Sequence, residues 1–150
     1  MTDPDRSQKD DFDLRAFLPF LLNQAAEESS LAFQRVYKDR YGMLRTEWRV
    51  LFHLGIYGRM TAKEIGERAR IHKTKVSRAV QRLAERRFLT RARDQRDRRC
   101  EQLELTQAGR AAYADLRSVA ARYDADLAAR FTPQEAALLR RMLRQLAGKG

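Results

Sequence analysis

The most constraining feature of this chain is a change of hydrophobic period just before residue 88. Up to that point apolar side chains recur at helical spacing. Ile65 and Ala69 mark one short helix, and Val76, Val80 and Leu83 share a face of the next, over about Lys73–Arg86. Beyond it the pattern alternates. Phe88-Leu89-Thr90-Arg91-Ala92-Arg93 reads as one strand and Cys100-Glu101-Gln102-Leu103-Glu104-Leu105 as another, with Leu103 and Leu105 inward and Glu104 outward. The polar run Asp94-Gln95-Arg96-Asp97-Arg98-Arg99 between them forms a hairpin tip. The expected fold class is mainly α with a small β-hairpin.

The rest of the chain reads as helix. From Phe12 a helical period runs through Leu14, Phe17, Leu18, Leu21, Leu22, Ala25, Ala32, Phe33, Val36 and Tyr37. Pro19 should kink this stretch or mark a break in it, and Gly42 ends it. Thr46 is placed to cap a second helix with Trp48, Val50, Leu51 and Leu54 on its apolar face, closed by Gly55 and Gly58. Thr61-Ala62-Lys63-Glu64 is a capping box, in which the Thr hydroxyl accepts from the Glu64 N–H and the Glu side chain reaches back. Thr106 caps a long helix carrying Tyr113, Leu116, Ala120, Tyr123 and Leu127. Thr132-Pro133-Gln134-Glu135 opens the last one, which carries Leu138, Met142, Leu143 and Leu146.

Charge singles out the central stretch. The chain of 150 residues carries a net +11. Between Thr61 and Cys100 stand fourteen Lys and Arg against five Asp and Glu, so +9 of that charge lies in 40 residues. The remainder is nearly balanced. Such a concentration is the electrostatic footprint of a polyanion partner.

Helix, turn, helix and hairpin in this order form a winged helix-turn-helix arrangement. A helix about 10–12 Å across fits a major groove about 12 Å wide, and its first turn touches base edges. Val76, Val80 and Leu83 hold the second helix to the core, which leaves Thr74, Ser77, Arg78, Gln81 and Arg82 toward the groove. Arg and Gln can pair bidentately with guanine and adenine, whereas Lys73 and Lys75 suit phosphate. Arg96, Arg98 and Arg99 project from the hairpin tip toward the adjacent minor groove, whose potential attracts inserted Arg where it is narrow. Asp94 and Asp97 are read as orienting neighbouring guanidinium groups and shaping the turn.

With these pieces in place, the run from Thr46 to Gly109 resembles the MarR family of bacterial transcription regulators. The resemblance is carried by Thr46-Glu47-Trp48-Arg49-Val50-Leu51, Thr61-Ala62-Lys63-Glu64-Ile65-Gly66, Lys73 through Leu83, the wing Asp94 through Arg99, and Leu105-Thr106-Gln107-Ala108-Gly109. It implies a homodimer that binds pseudo-palindromic double-stranded operators, usually as a repressor. It also implies that Arg99, at the family's spacing after Asp97, is the wing arginine of the minor groove. Many family members bind a small ligand, often an aromatic acid, between the dimer helices and the winged domain. Arg15, Phe20, Tyr37, Tyr41, Trp48, Arg49 and His53 are the positions here that would line such a cleft, each with core packing as its simpler role.

The domain reading is a flexible terminus 1–10, an N-terminal dimerisation region 11–43, a winged helix-turn-helix domain 44–106 and C-terminal dimerisation helices 107–150. The flanking helices are too apolar to stand bare, which supports dimerisation independently of the resemblance. No acid, base or nucleophile constellation points to an enzyme. His53 and His72 without a cysteine or carboxylate cluster make a poor zinc site, so no metal or cofactor is expected. His53 reads as a packed core histidine, and His72 as a residue at the mouth of the recognition helix within reach of phosphate. Cys100 reads as a buried or inert thiol. One cysteine excludes an internal disulfide, and no apolar run approaches a membrane span or a secretory signal, so a cytoplasmic location is expected. Two other readings remain at this point: a non-specific architectural DNA binder, and a helical protein-interaction module that has lost DNA binding.

Overall fold

The computed structural model describes residues 10–93 and 95–148. A 3-10 turn at Leu14–Ala16 precedes helix α1 (Leu18–Tyr41). The proline question is thereby settled: Pro19 lies in the first turn of α1, where a missing N–H costs nothing, and the break falls before it. Then follow α2 (Arg45–Tyr57), β1 (Met60–Thr61), α3 (Ala62–Ala69), α4 (Lys73–Glu85), β2 (Leu89–Arg93), β3 (Glu101–Leu105), α5 (Gln107–Ala128) and α6 (Pro133–Leu146). The chain divides into two compact units that part within α1, between Ala32 and Phe33. Among the described residues, no helix is long and apolar enough to cross a membrane.

Among its described residues, the first unit contributes no fully buried hydrophobic side chain, and Phe12, Leu14, Phe17, Leu18 and Leu21 are exposed. The second unit holds the core. Val50, Leu51 and Leu54 of α2, Ile65 of α3, Val76, Val80 and Leu83 of α4 and Leu116 of α5 converge there with Leu89, Leu103 and Leu105 of the sheet. An aromatic cluster flanks it. The Phe33 ring stands 5.3 Å from both Tyr37 and Trp48, edge to face, and stacks at 6.4 Å on Tyr123.

Two expectations about α2 need correction. Thr46 is not its cap. Leu44 occupies the cap position and has no side-chain oxygen, so the helix start is secured from within, by Glu47 Oε2 accepting from the Leu44 N–H at 2.6 Å. Gly55 does not close the helix either. The helix continues to Tyr57 and ends at Gly58, whose φ of +78° suits a glycine. Gly55 is internal because a Cβ there would stand 2.5 Å from the Tyr113 ring, so its missing side chain lets α5 approach α2.

The sheet has three strands rather than two, in the order β1-β3-β2 and antiparallel throughout. Met60 pairs with Leu103 and Thr61 with Gln102 on one side of β3, and Leu89 with Leu105 through Arg93 with Glu101 on the other. β1 is two residues long, too short to show a period, but it ties the start of α3 to the hairpin. The capping boxes at Thr61 and Thr132 and the Thr106 cap form as expected.

Candidate nucleic-acid interface

The site is built from α3, α4 and the hairpin. Thr61 Oγ1 accepts from the Glu64 N–H at 3.1 Å, and Glu64 Oε1 accepts from the Thr61 N–H at 3.3 Å. α3 ends at Arg70, which adopts a left-handed φ of +55° and turns the chain sharply. The Ile71 N–H closes the turn on the Gly66 carbonyl at 3.0 Å. His72 then caps α4: its Nδ1 accepts from the Thr74 N–H at 3.2 Å. Accepting at Nδ1 leaves the neutral ring's proton on Nε2, on an exposed side chain at the mouth of the helix.

Along α4 the two faces separate cleanly. Val76, Ala79, Val80 and Leu83 are buried, while Lys73, Thr74, Lys75, Ser77, Arg78, Gln81 and Arg82 are exposed. Gln81 Nε2 donates to Glu85 on its own helix at 3.1 Å. Arg82 turns its Nε to Glu47 Oε1 at 3.3 Å. Glu47 itself is fully buried.

The wing is held by Leu89, Leu103 and Leu105, all buried, and by Arg91 Nε donating to Glu101 Oε2 at 2.8 Å across the strands. At its tip Asp97 accepts from backbone N–H groups of the turn. Its Oδ1 accepts from the Arg99 N–H at 3.1 Å, and its carbonyl accepts from the Cys100 N–H at 3.0 Å. Asp94, assigned the same role, lies outside the described residues. Arg96, Arg98 and Arg99 are exposed. Cys100 is half-buried, with Sγ 3.8 Å from Asp97 Oδ2. A cavity of about 400 Å³ opens between wing, α3 and α4. Lys63, Arg91, Arg93, Arg98 and Arg99 line it with Ser77, over Val80 and Leu103. The wing and Lys63 of α3 thus present their cations around one concavity that α4 borders with Ser77 and Val80.

The candidate effector residues are differently disposed. Arg15 and Phe20 belong to the first unit and the other five to the second. Tyr37 is buried in the aromatic cluster, and that burial pushes its phenol pKa up. Trp48 packs in the same cluster. Tyr41 donates its hydroxyl to Asp115 Oδ2 at 2.6 Å. Arg49 donates to the Ala69 carbonyl at 2.6 Å, and burial lowers its pKa. His53 Nδ1 lies 2.6 Å from the Arg49 carbonyl and its ring 5.9 Å from that of Tyr57. Among the described residues, no group of three or more His, Cys, Asp or Glu could hold a metal ion.

Sequence reasoning missed the Glu47–Arg82 contact. A signal was present: Glu47, Leu51 and Leu54 follow at i, i+4 and i+7, which puts the carboxylate on the buried stripe of α2.

An exposed polar helix face beside a three-stranded sheet with an arginine-tipped hairpin defines a winged helix-turn-helix protein. Residues 41–99 match the MarR family. No curated protein sequence matches the chain. Among solved structures, a MarR family transcriptional regulator from Silicibacter pomeroyi DSS-3 superposes with a TM-score of 0.78 at 26% identity, over 92% of this chain and 98% of that one. BpsR of Bordetella bronchiseptica, whose DNA binding is regulated by 6-hydroxynicotinic acid, gives 0.84 at 22% identity, over 92% and 98%. MepR of S. aureus, solved as a DNA complex, gives 0.80 at 16% identity, over 88% and 96%. Residues 41–99 thus carry the MarR-family pattern, and the chain shares its fold with a MarR family transcriptional regulator.

Proposed function

We propose that this protein is a homodimeric, sequence-specific repressor that binds pseudo-palindromic duplex DNA. The observation that carries the reading is the placement of charge: Lys63 of α3 and Arg91, Arg93, Arg98 and Arg99 of the wing line one concavity, which Ser77 and Val80 of α4 also line, and the cations of α4 itself are exposed. Lys73, Thr74, Lys75, Ser77, Arg78 and Gln81 serve the major groove, and Arg96, Arg98 and Arg99 the minor groove. Dimerisation is supported by Leu138, Leu139, Met142, Leu143 and Leu146 of α6, all exposed along one helix, and by the exposed apolar residues of the N-terminal unit. In a dimer the two α4 helices engage half-sites about one turn apart, roughly 34 Å. A small aromatic or acidic effector completes the reading, supported by the ligand regulation of BpsR.

The test is binding to a duplex selected from a random-sequence library and to unselected duplex, each at several salt concentrations. Both affinities should fall with salt, with a log–log slope near −0.9 per phosphate neutralised. The selected duplex should bind far more tightly. Equal affinities throughout would reduce the protein to a non-specific architectural binder. Arg99→Ala should weaken binding of the selected duplex by about ten- to hundredfold with an unchanged unfolding midpoint. Unaltered affinity would remove the wing from the interface.

A further inference from the structure

One contact on α4 lies outside the lining of the concavity. Glu47 is fully buried at the N-terminal end of α2, and its Oε2 is used by the Leu44 N–H at 2.6 Å. Its Oε1 is the one buried side-chain polar atom among the described residues that lacks a hydrogen-bond partner. The charge facing that oxygen is Arg82, with Nε at 3.3 Å and a side chain about half exposed. A buried carboxylate is tolerated only beside a compensating cation, so the two residues act as a unit. One turn later Arg86 Nη1 donates to the Gly42 carbonyl at 2.9 Å. The C-terminal end of α4 is therefore fastened by polar contacts at two points to the junction of α1 and α2, whereas its N-terminal half, Lys73 to Arg78, is held to the core through Val76.

We propose that Arg82 is a positioning residue of the recognition helix rather than a DNA contact: through Glu47 it fixes the angle at which α4 meets the groove. Spacing along α4 puts Arg82 on the groove face, but its Nε is committed to α2. The inference rests on the DNA-binding reading above. Its consequence is that specificity, more than general affinity, depends on the pair. Random duplex senses charge, whereas base-edge contacts require α4 at one angle.

The test is a double-mutant cycle with Arg82→Met, Glu47→Gln and both together, in the full chain. For each variant the affinities for the selected and the unselected duplex are measured against salt, with the unfolding midpoint alongside. Each single change should lower the selected-to-unselected affinity ratio by about tenfold. The double variant should lose no more than the worse single, and the salt slope on unselected duplex should match the unsubstituted protein. The double variant also removes the unpaired buried charge, so it keeps the test open if Arg82→Met alone fails to fold. A slope smaller by about 0.9 in the double variant, with Glu47→Gln silent, would show that Arg82 neutralises a phosphate and overturn the inference. A lowered midpoint with an unchanged ratio would make the pair merely structural and overturn it too. Absence of salt-dependent duplex binding by the unsubstituted protein would instead overturn the DNA-binding reading on which it stands.

Discussion

A methyl group on Gly55 would meet the Tyr113 ring at 2.5 Å, with no flexible end to swing aside. Gly55→Ala should therefore force α2 and α5 apart and cost about 1–3 kcal/mol, read from a lower midpoint in chemical denaturation. An unchanged midpoint would show that the two helices part there freely. The same residue explains a misreading. Glycine late in a helical pattern is read as a terminator from local context, but here its reason lies 58 positions away, in an aromatic ring on another helix. Thr46 fails for a related reason: a hydroxyl beside an apolar run suggests a cap, whereas Glu47 already secures the start of α2 from inside the helix. By contrast, the Thr61 and Thr132 boxes were legible because both partners lie within four residues.

At the scale of elements, the end of α1 is tied to α5 by one carboxylate. Asp115 accepts from the Tyr41 hydroxyl at 2.6 Å and from Arg40 Nη1 at 2.9 Å. The bonds from Tyr41 and Arg40 hold Asp115 below the usual carboxylate range. Burial, then the bond to Asp115 and its charge, push Tyr41 up from 10.0 to about 12. A phenol that keeps its proton longer when folded adds stability that is complete below its unfolded value and is lost as pH rises through the folded one. The Tyr41 contribution should therefore be intact below pH 10 and disappear between pH 10 and about 12. Unfolding midpoints of Tyr41→Phe measured across that window should lack this alkaline loss. A profile that still parallels the unsubstituted protein would assign the loss to other groups. Nothing local pointed to this link, since its partners are 74 and 75 residues apart. The elements of the winged region were legible because each carries its own period; β1 has only two residues to carry one.

For the whole molecule, α6 has an apolar row that the described chain leaves exposed, with Leu139 at 38% and Leu143 at 43%. Replacing both by Lys should shift sedimentation toward the monomer and weaken binding to the selected duplex, with helix content retained. An unaltered mass would place the joining face elsewhere. The charge distribution bears on the same event. Most of the net +11 rides on residues 61–100, and the rest of the chain is close to neutral. Two molecules of like charge resist approach. With the charge gathered at one end of the sequence's work and the apolar row outside it, self-repulsion falls mainly on the surfaces that must face DNA. In the proposed dimer, subunits can then meet through α6 at little electrostatic cost, and the field that hinders misdirected encounters also steers the molecule onto the proposed duplex.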